Sequence, residues 1–157
     1  MCLSTITKKL IEPKTMQFYK IMYRLRRKGK PNLYFFQARF SECRPIEKGK
    51  VKLATVGDIE LRRDPWTEIP ARRYRAGFHG YTNLNQARKA LHFRPWFRRW
   101  APKETSEGKL YKVIVLCEGP VRTIGTQNRK KVVVADTMKI LREIPLTQLF
   151  PTKVRKR

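Results

Sequence analysis

The chain has 157 residues, 37 of them Lys or Arg and only 12 Asp or Glu, for a formal charge of +25 at neutral pH. This length sets one domain as the expectation. An apolar fraction of 41 % with eight Phe, six Tyr and three Trp excludes a disordered basic tail, which would combine its charge with low hydrophobicity.

So large a like-charge excess destabilises a compact chain unless something anionic neutralises it. A phosphate backbone does so while releasing condensed counterions; an acidic protein or an anionic membrane face is the other choice. No apolar run is long enough to cross a bilayer. The opening Met1-Cys2-Leu3-Ser4-Thr5-Ile6 lacks the basic segment and apolar stretch of a signal peptide. Cys2, Cys43 and Cys117 are odd in number, widely spaced and free of any Cys-x-x-Cys pair. That spacing argues against a disulfide frame and structural zinc and for a reducing compartment. The expected setting is intracellular and cytoplasmic, or a virion if the protein is viral, with no membrane partner.

In chain order, residues 1–16 show no clear period and are expected to form an extended arm. From Gln17, apolar Tyr19, Ile21, Tyr23 and Leu25 alternate with Lys20, Met22 and Arg24, the period-two pattern of a strand. Arg26-Arg27-Lys28-Gly29-Lys30-Pro31-Asn32 supplies a basic turn, and Tyr34, Phe36, Ala38 and Phe40 alternate after it, so a hairpin is expected. Residues 51–56 read as a third strand ended by Gly57-Asp58. Residues 58–76, with Pro65 and Pro70, read as loop or irregular edge. Residues 82–91 read as a short helix capped by Thr82 and ended by Pro95, with Leu84, Ala87 and Leu91 on one face.

Residues 110–117 are almost wholly apolar, as in a central strand covered on both faces. Gly119-Pro120 is expected to interrupt it before an extended 121–126 and a basic turn at 127–130. Residues 132–144 fit a strand in their first half and, from Asp136, either a strand or a helix. The expected architecture is α+β: a single compact domain over 17–147, mostly antiparallel sheet with one or two short helices, followed by a basic tail at 148–157.

The densest candidate binding segment is Arg94-Pro95-Trp96-Phe97-Arg98-Arg99-Trp100. Guanidinium groups fork onto phosphate oxygens and aromatic faces stack on unpaired bases; the competing reading makes Trp96, Phe97 and Trp100 core plugs under a loop. Further cationic candidates are Arg26, Arg27, Lys28 and Lys30, then Arg72, Arg73 and Arg75, then Arg129, Lys130 and Lys131. Charge spread this widely suits a protein lying along a polyanion better than one reading a few base edges. No helix-turn-helix, zinc finger, RNA-recognition motif or KH loop is present.

The chemistry-bearing residues are sparse. Two histidines, His79 and His92, without paired carboxylates give no metal site, and no cofactor is expected. Cys2 would be an N-terminal nucleophile beside its own amine if Met1 were removed, against the simpler reading of an incidental thiol. Glu118, at the end of the central strand, is a candidate acid/base, against the commoner reading of a solvated carboxylate or one paired with a nearby arginine.

Met1-Cys2-Leu3-Ser4-Thr5, and Arg75-Ala76-Gly77-Phe78-His79-Gly80-Tyr81-Thr82 followed by Ala87, resemble matching segments of small uncharacterised phage and prophage proteins. The resemblance covers the N-terminus and roughly residues 75–143, and this chain departs from it in its charge and in the Trp/Arg insert at 94–100. It implies a viral or mobile-element origin and a compact α+β domain, with no activity attached. A fainter resemblance, to ADP-ribosyltransferase-like domains, lacks their catalytic glutamate context. Three functions are therefore expected in order: a non-enzymatic binder of DNA, RNA or another polyanion, within a virion or ribonucleoprotein; an inhibitor or host-takeover protein docking on an acidic host protein or nucleic-acid-processing effector; and a small enzyme using Cys2 or an ADP-ribosyltransferase-like site.

Overall fold

A computed structural model describes residues 3, 5–36, 44–54, 58–60, 73–75, 77–92 and 103–149. Its elements are β1 (Thr5–Arg26), β2 (Leu33–Phe35), β3 (Ile46–Glu47), β4 (Val51–Leu53), β5 (Asp58–Glu60), β6 (Arg73–Arg75), β7 (Phe78–Tyr81), α1 (Leu84–His92), β8 (Lys103–Thr105), β9 (Gly108–Gln127), β10 (Lys130–Ala135), β11 (Thr137–Glu143) and α2 (Leu146–Leu149). Every strand pairing is antiparallel. The protein is thus a mostly antiparallel sheet with two short helices, in the expected α+β class.

The long ladder between β1 and β9 organises the rest. It runs from Thr5↔Thr126 to Arg26↔Lys109. On its other edge β9 pairs first with β11 and then with β10, so β10 and β11 follow one another along the same neighbour. β7 pairs with β10 and also with β1, through Tyr19↔Tyr81. The pairings β1–β9–β10–β7–β1 therefore close a ring, which removes the open edges these strands would otherwise expose.

Alternation decides what fills each face. Val113, Val115 and Cys117 of β9 join Phe18, Met22, Phe78, Val121, Val133, Met138 and Ile140 in the larger core. Ile114 and Leu116, pointing the other way, pack under Ala87 and Leu91 of α1 and Leu149 of α2. β9 is accordingly covered on both faces, as its unbroken apolar run requires. Gly80 lets the ring come together at this level, since a Cβ there would collide with the Phe18 ring.

The structure corrects several expectations. Gly119-Pro120 does not interrupt the central strand, because β9 continues to Gln127. Pro120 accepts a hydrogen bond from the Asp136 N–H (3.0 Å), so the donor it lacks would face the break between β10 and β11, where the ladder loses little. Asp136 starts no helix: its carboxylate is taken by Arg122 and Arg75, and residues 137–143 extend as β11. Within 58–76, expected as loop or irregular edge, β5 and β6 form a small two-stranded sheet, held by the buried Tyr74 ring against Leu3, Val132 and Val134. Residues 5–16, expected as an arm ahead of the domain, already belong to β1 and pair with β9. At the other end, Leu149 of α2 lies buried beyond residue 147. The hairpin forms in its described part, β1 with β2, and β4 covers Val51–Leu53 of the expected third strand; residues 37–40 and 55–57 of these expectations lie outside the described residues.

The helix cap also differs. Asn83, not Thr82, caps α1, its Oδ1 accepting from the Gln86 N–H at 2.9 Å. Thr82 is still tied to the sheet, its N–H donating to the Lys131 carbonyl. Asn83→Ala should therefore lower the unfolding free energy by about 1 kcal/mol, measurable by urea denaturation, whereas Thr82→Ala should cost less.

Candidate nucleic-acid interface

Twelve carboxylates cannot balance thirty-seven cations, so the informative question is which cations the fold leaves unbalanced. Two sequence-predicted groups sit on turns at opposite ends of the β1/β9 ladder. At one end Arg26 closes β1 opposite Lys109, and the turn beyond it presents exposed Lys28 and Lys30, with Gly29 supplying the left-handed backbone (φ 69°) that the reversal needs. Arg27 is committed to the turn itself, its Nη2 donating to the Pro31 carbonyl at 2.9 Å.

At the other end β9 turns into β10 through Asn128 and Arg129, both left-handed (φ 50° and 61°), the geometry of a tight two-residue hairpin. This turn projects Arg129, and Lys130 and Lys131 follow on β10. Lys130 donates back to the Asn128 carbonyl at 3.4 Å. Lys131 lies across from Thr126, which pairs in turn with Thr5 of β1. The ladder thus brings Lys8, Lys9 and Lys14, exposed residues of β1, to the same end as Arg129 and Lys131. Among the described residues, Lys8, Lys14, Arg26, Lys28, Lys30, Arg129 and Lys131 have no carboxylate partner.

Sequence reasoning missed the contribution of Lys8, Lys9 and Lys14, because residues 1–16 carry no period that marks a strand. The Lys8-Lys9 doublet was the available signal. Arg75 is offset only in part: it lies 3.9 Å from Asp136, whose carboxylate Arg122 engages more closely. Arg73 lies in β6 opposite Glu60. Arg72, Arg94, Trp96, Phe97, Arg98, Arg99 and Trp100 fall outside the described residues, as do Cys2 and the tail at 151–157.

The other candidate chemistry is buried. Tyr74 Oη accepts the Leu3 N–H at 3.0 Å and lies 2.9 Å from His79 Nε2. The direction of that contact follows the His79 tautomer: Nε2 accepts the Tyr74 proton when the ring carries its own proton on Nδ1. Burial, reinforced by the Lys20 charge and that of the N-terminus, pushes His79 down to about 4 against the pull of a backbone hydrogen bond to Gly77. Lys20 is itself buried, with Nζ donating to the His79 carbonyl at 2.7 Å and lying over the Phe36 and Phe78 rings at 5.0 and 6.0 Å. Burial lowers it to about 8, and the same cause pushes the Cys117 thiol up to about 12. A thiol so strongly protonated is a packing group rather than a nucleophile.

A second polar knot ties β1 to β11: Arg24 meets Glu143 at 2.6 Å, Tyr34 Oη donates to the other carboxylate oxygen at 3.3 Å, and the guanidinium lies over Tyr111. Glu118 lies in β9 opposite Lys139 and Gln17. Among the described residues no three His, Cys, Asp or Glu gather where they could hold a metal. No helix among them is long and apolar enough to cross a membrane. No family model, curated protein or solved structure matches the chain.

Proposed function

We propose that this is an intracellular nucleic-acid-binding protein of phage type, which contacts phosphates through the cations at the two ends of the β1/β9 ladder. The observation that supports this reading is the placement of unbalanced lysines and arginines on turn tips and on β1, while half-buried acids such as Glu143 and Asp136 are engaged by internal partners. A turn tip projects its side chains beyond the sheet, so such charges reach a backbone without distorting the fold, and each phosphate they neutralise releases counterions. Binding through Arg and Lys at scattered positions carries little base information, so weak sequence preference is part of the proposal.

Paired substitutions test the reading. Lys28→Gln with Lys30→Gln, and separately Arg129→Gln with Lys131→Gln, should each weaken retention on a mixed-sequence duplex and lower the salt dependence of binding by about two phosphate equivalents. Circular dichroism should be unchanged, because all four side chains lie at the surface. Binding that is indifferent to both pairs would refute the assignment of these turns.

A further inference from the structure

The β1/β9 ladder has one large irregularity. Lys9 pairs with Thr123 and Lys14 with Val121, so five steps along β1 answer two along β9 and three residues of β1 are in excess. The excess leaves the sheet as the excursion Leu10-Ile11-Glu12-Pro13. Its two ends are fixed, since Leu10 on one side and Met16 on the other pack against the larger core. Pro13 locks its own φ and biases Glu12 to extended backbone. Between these anchors Ile11 points outward and is 99 % exposed. Lysines stand on both sides of it in sequence: Lys8 and Lys9 before, Lys14 after, against the single carboxylate of Glu12.

An apolar tip flanked along the strand by exposed lysines matches a partner that is anionic at its surface and apolar just beneath. Stacked base pairs behind a phosphate backbone have that structure. We propose that Ile11 is a wedge that enters between base pairs of duplex DNA and opens a kink while Lys8 and Lys14 hold the flanking phosphates. Apolar wedges of this kind partly unstack a base step and bend the duplex, most easily at pyrimidine–purine steps. The anchoring of Leu10, Met16 and Pro13 matters because a tip already fixed in place loses little conformational entropy on insertion. This inference rests on the nucleic-acid reading and adds to it the form of nucleic acid and the mode of engagement.

The test uses the full chain and short DNA duplexes rich in TA steps, with 2-aminopurine replacing adenine at those steps and a fluorophore pair at the ends. Wild-type protein should raise 2-aminopurine fluorescence, as unstacking requires, and shorten the end-to-end distance. Ile11→Ala should abolish the fluorescence rise and weaken duplex affinity roughly tenfold, from the lost apolar contact, with the salt slope unchanged. Ile11→Leu should restore both signals. Lys8→Gln with Lys14→Gln should do the reverse, lowering the slope by about two while saturating protein still brightens the probe. Because Ile11 touches nothing in the fold, these variants remain folded. Ile11→Ala that binds and brightens like wild type overturns the wedge and leaves the nucleic-acid reading intact. So does an Ile11→Ala whose only defect is in binding phosphatidylserine vesicles or in self-association. Failure of wild-type protein to bind any nucleic acid takes down both.

Discussion

Purified protein should lose on the order of a thousandfold in nucleic-acid affinity between about 50 and 200 mM salt. The slope of log K against log salt is close to −0.9 per neutralised phosphate on duplex DNA, so about six contacts suffice for that loss. Lys8, Lys14, Arg26, Lys28, Lys30, Arg129 and Lys131 are enough to supply them, being without carboxylate partners among the described residues. Cations paired within the fold, such as Arg24 with Glu143 and Arg122 with Asp136, should contribute little, because their charge is offset there. Fluorescence anisotropy across a salt series measures the slope directly. A flat titration, or no retention on nucleic acid at low salt, rules out the polyanion reading. Binding to an acidic protein that nucleic acid cannot displace would favour a host-protein partner instead.

What the sequence made legible follows from how local each signal is. The alternation Tyr19, Ile21, Tyr23, Leu25 marks a strand within nine residues, and the Val/Ile run at 113–116 marks a buried one, because side-chain direction is set by the adjacent backbone alone. The helix face of Ala87 and Leu91 is local in the same way. Closure of the ring is not: it needs Tyr81 to meet Tyr19 across more than sixty residues, and no pattern in either segment names the other. Gly119-Pro120 misled because the pair is a turn signal when read locally. Its place in the strand depends on a distant break in the neighbouring strand at Asp136. The cationic turns at 26–30 and 129–131 were legible as turns, but the gathering of Lys8, Lys9 and Lys14 beside Arg129 depends on the register of two 20-residue strands. The buried lysine was the least legible feature. The alternation of Tyr19, Ile21, Tyr23 and Leu25 places Lys20 on the opposite, polar face, yet Phe18, Lys20 and Met22 are the buried set while Tyr19, Ile21 and Tyr23 are only half-buried.

That buried lysine and its neighbour His79 should give the protein an unusual stability profile, with two separate rises as pH increases. Both are bases whose folded pKa lies below the unfolded one, about 8 against 10.5 for Lys20 and about 4 against 6.5 for His79. Between each pair of values the unfolded chain holds more protons than the folded one, so stability increases with pH across that window. For His79 the stability present above pH 6.5 is lost as pH falls towards 4. For Lys20 the folded state carries its desolvated charge at neutral pH, and the penalty is relieved only between about pH 8 and 10.5. Each shift corresponds to about 3 kcal/mol, large beside the marginal stability of a domain this size. For His79 a backbone hydrogen bond to Gly77 opposes the shift; Cys117, protonated up to about 12, brings no charge to Lys20 in its window. Urea denaturation from pH 4 to 10.5 should show both rises in wild-type protein. Lys20→Met should flatten the alkaline rise and shrink the acid one without abolishing it, because burial still holds His79 down once the Lys20 charge is gone, at some cost from stranding the His79 carbonyl. His79→Gln should flatten the acid rise alone. An alkaline rise that persists in Lys20→Met at full size would mean that the amine is hydrated in solution and that the aromatic enclosure by Phe36 and Phe78 is not maintained.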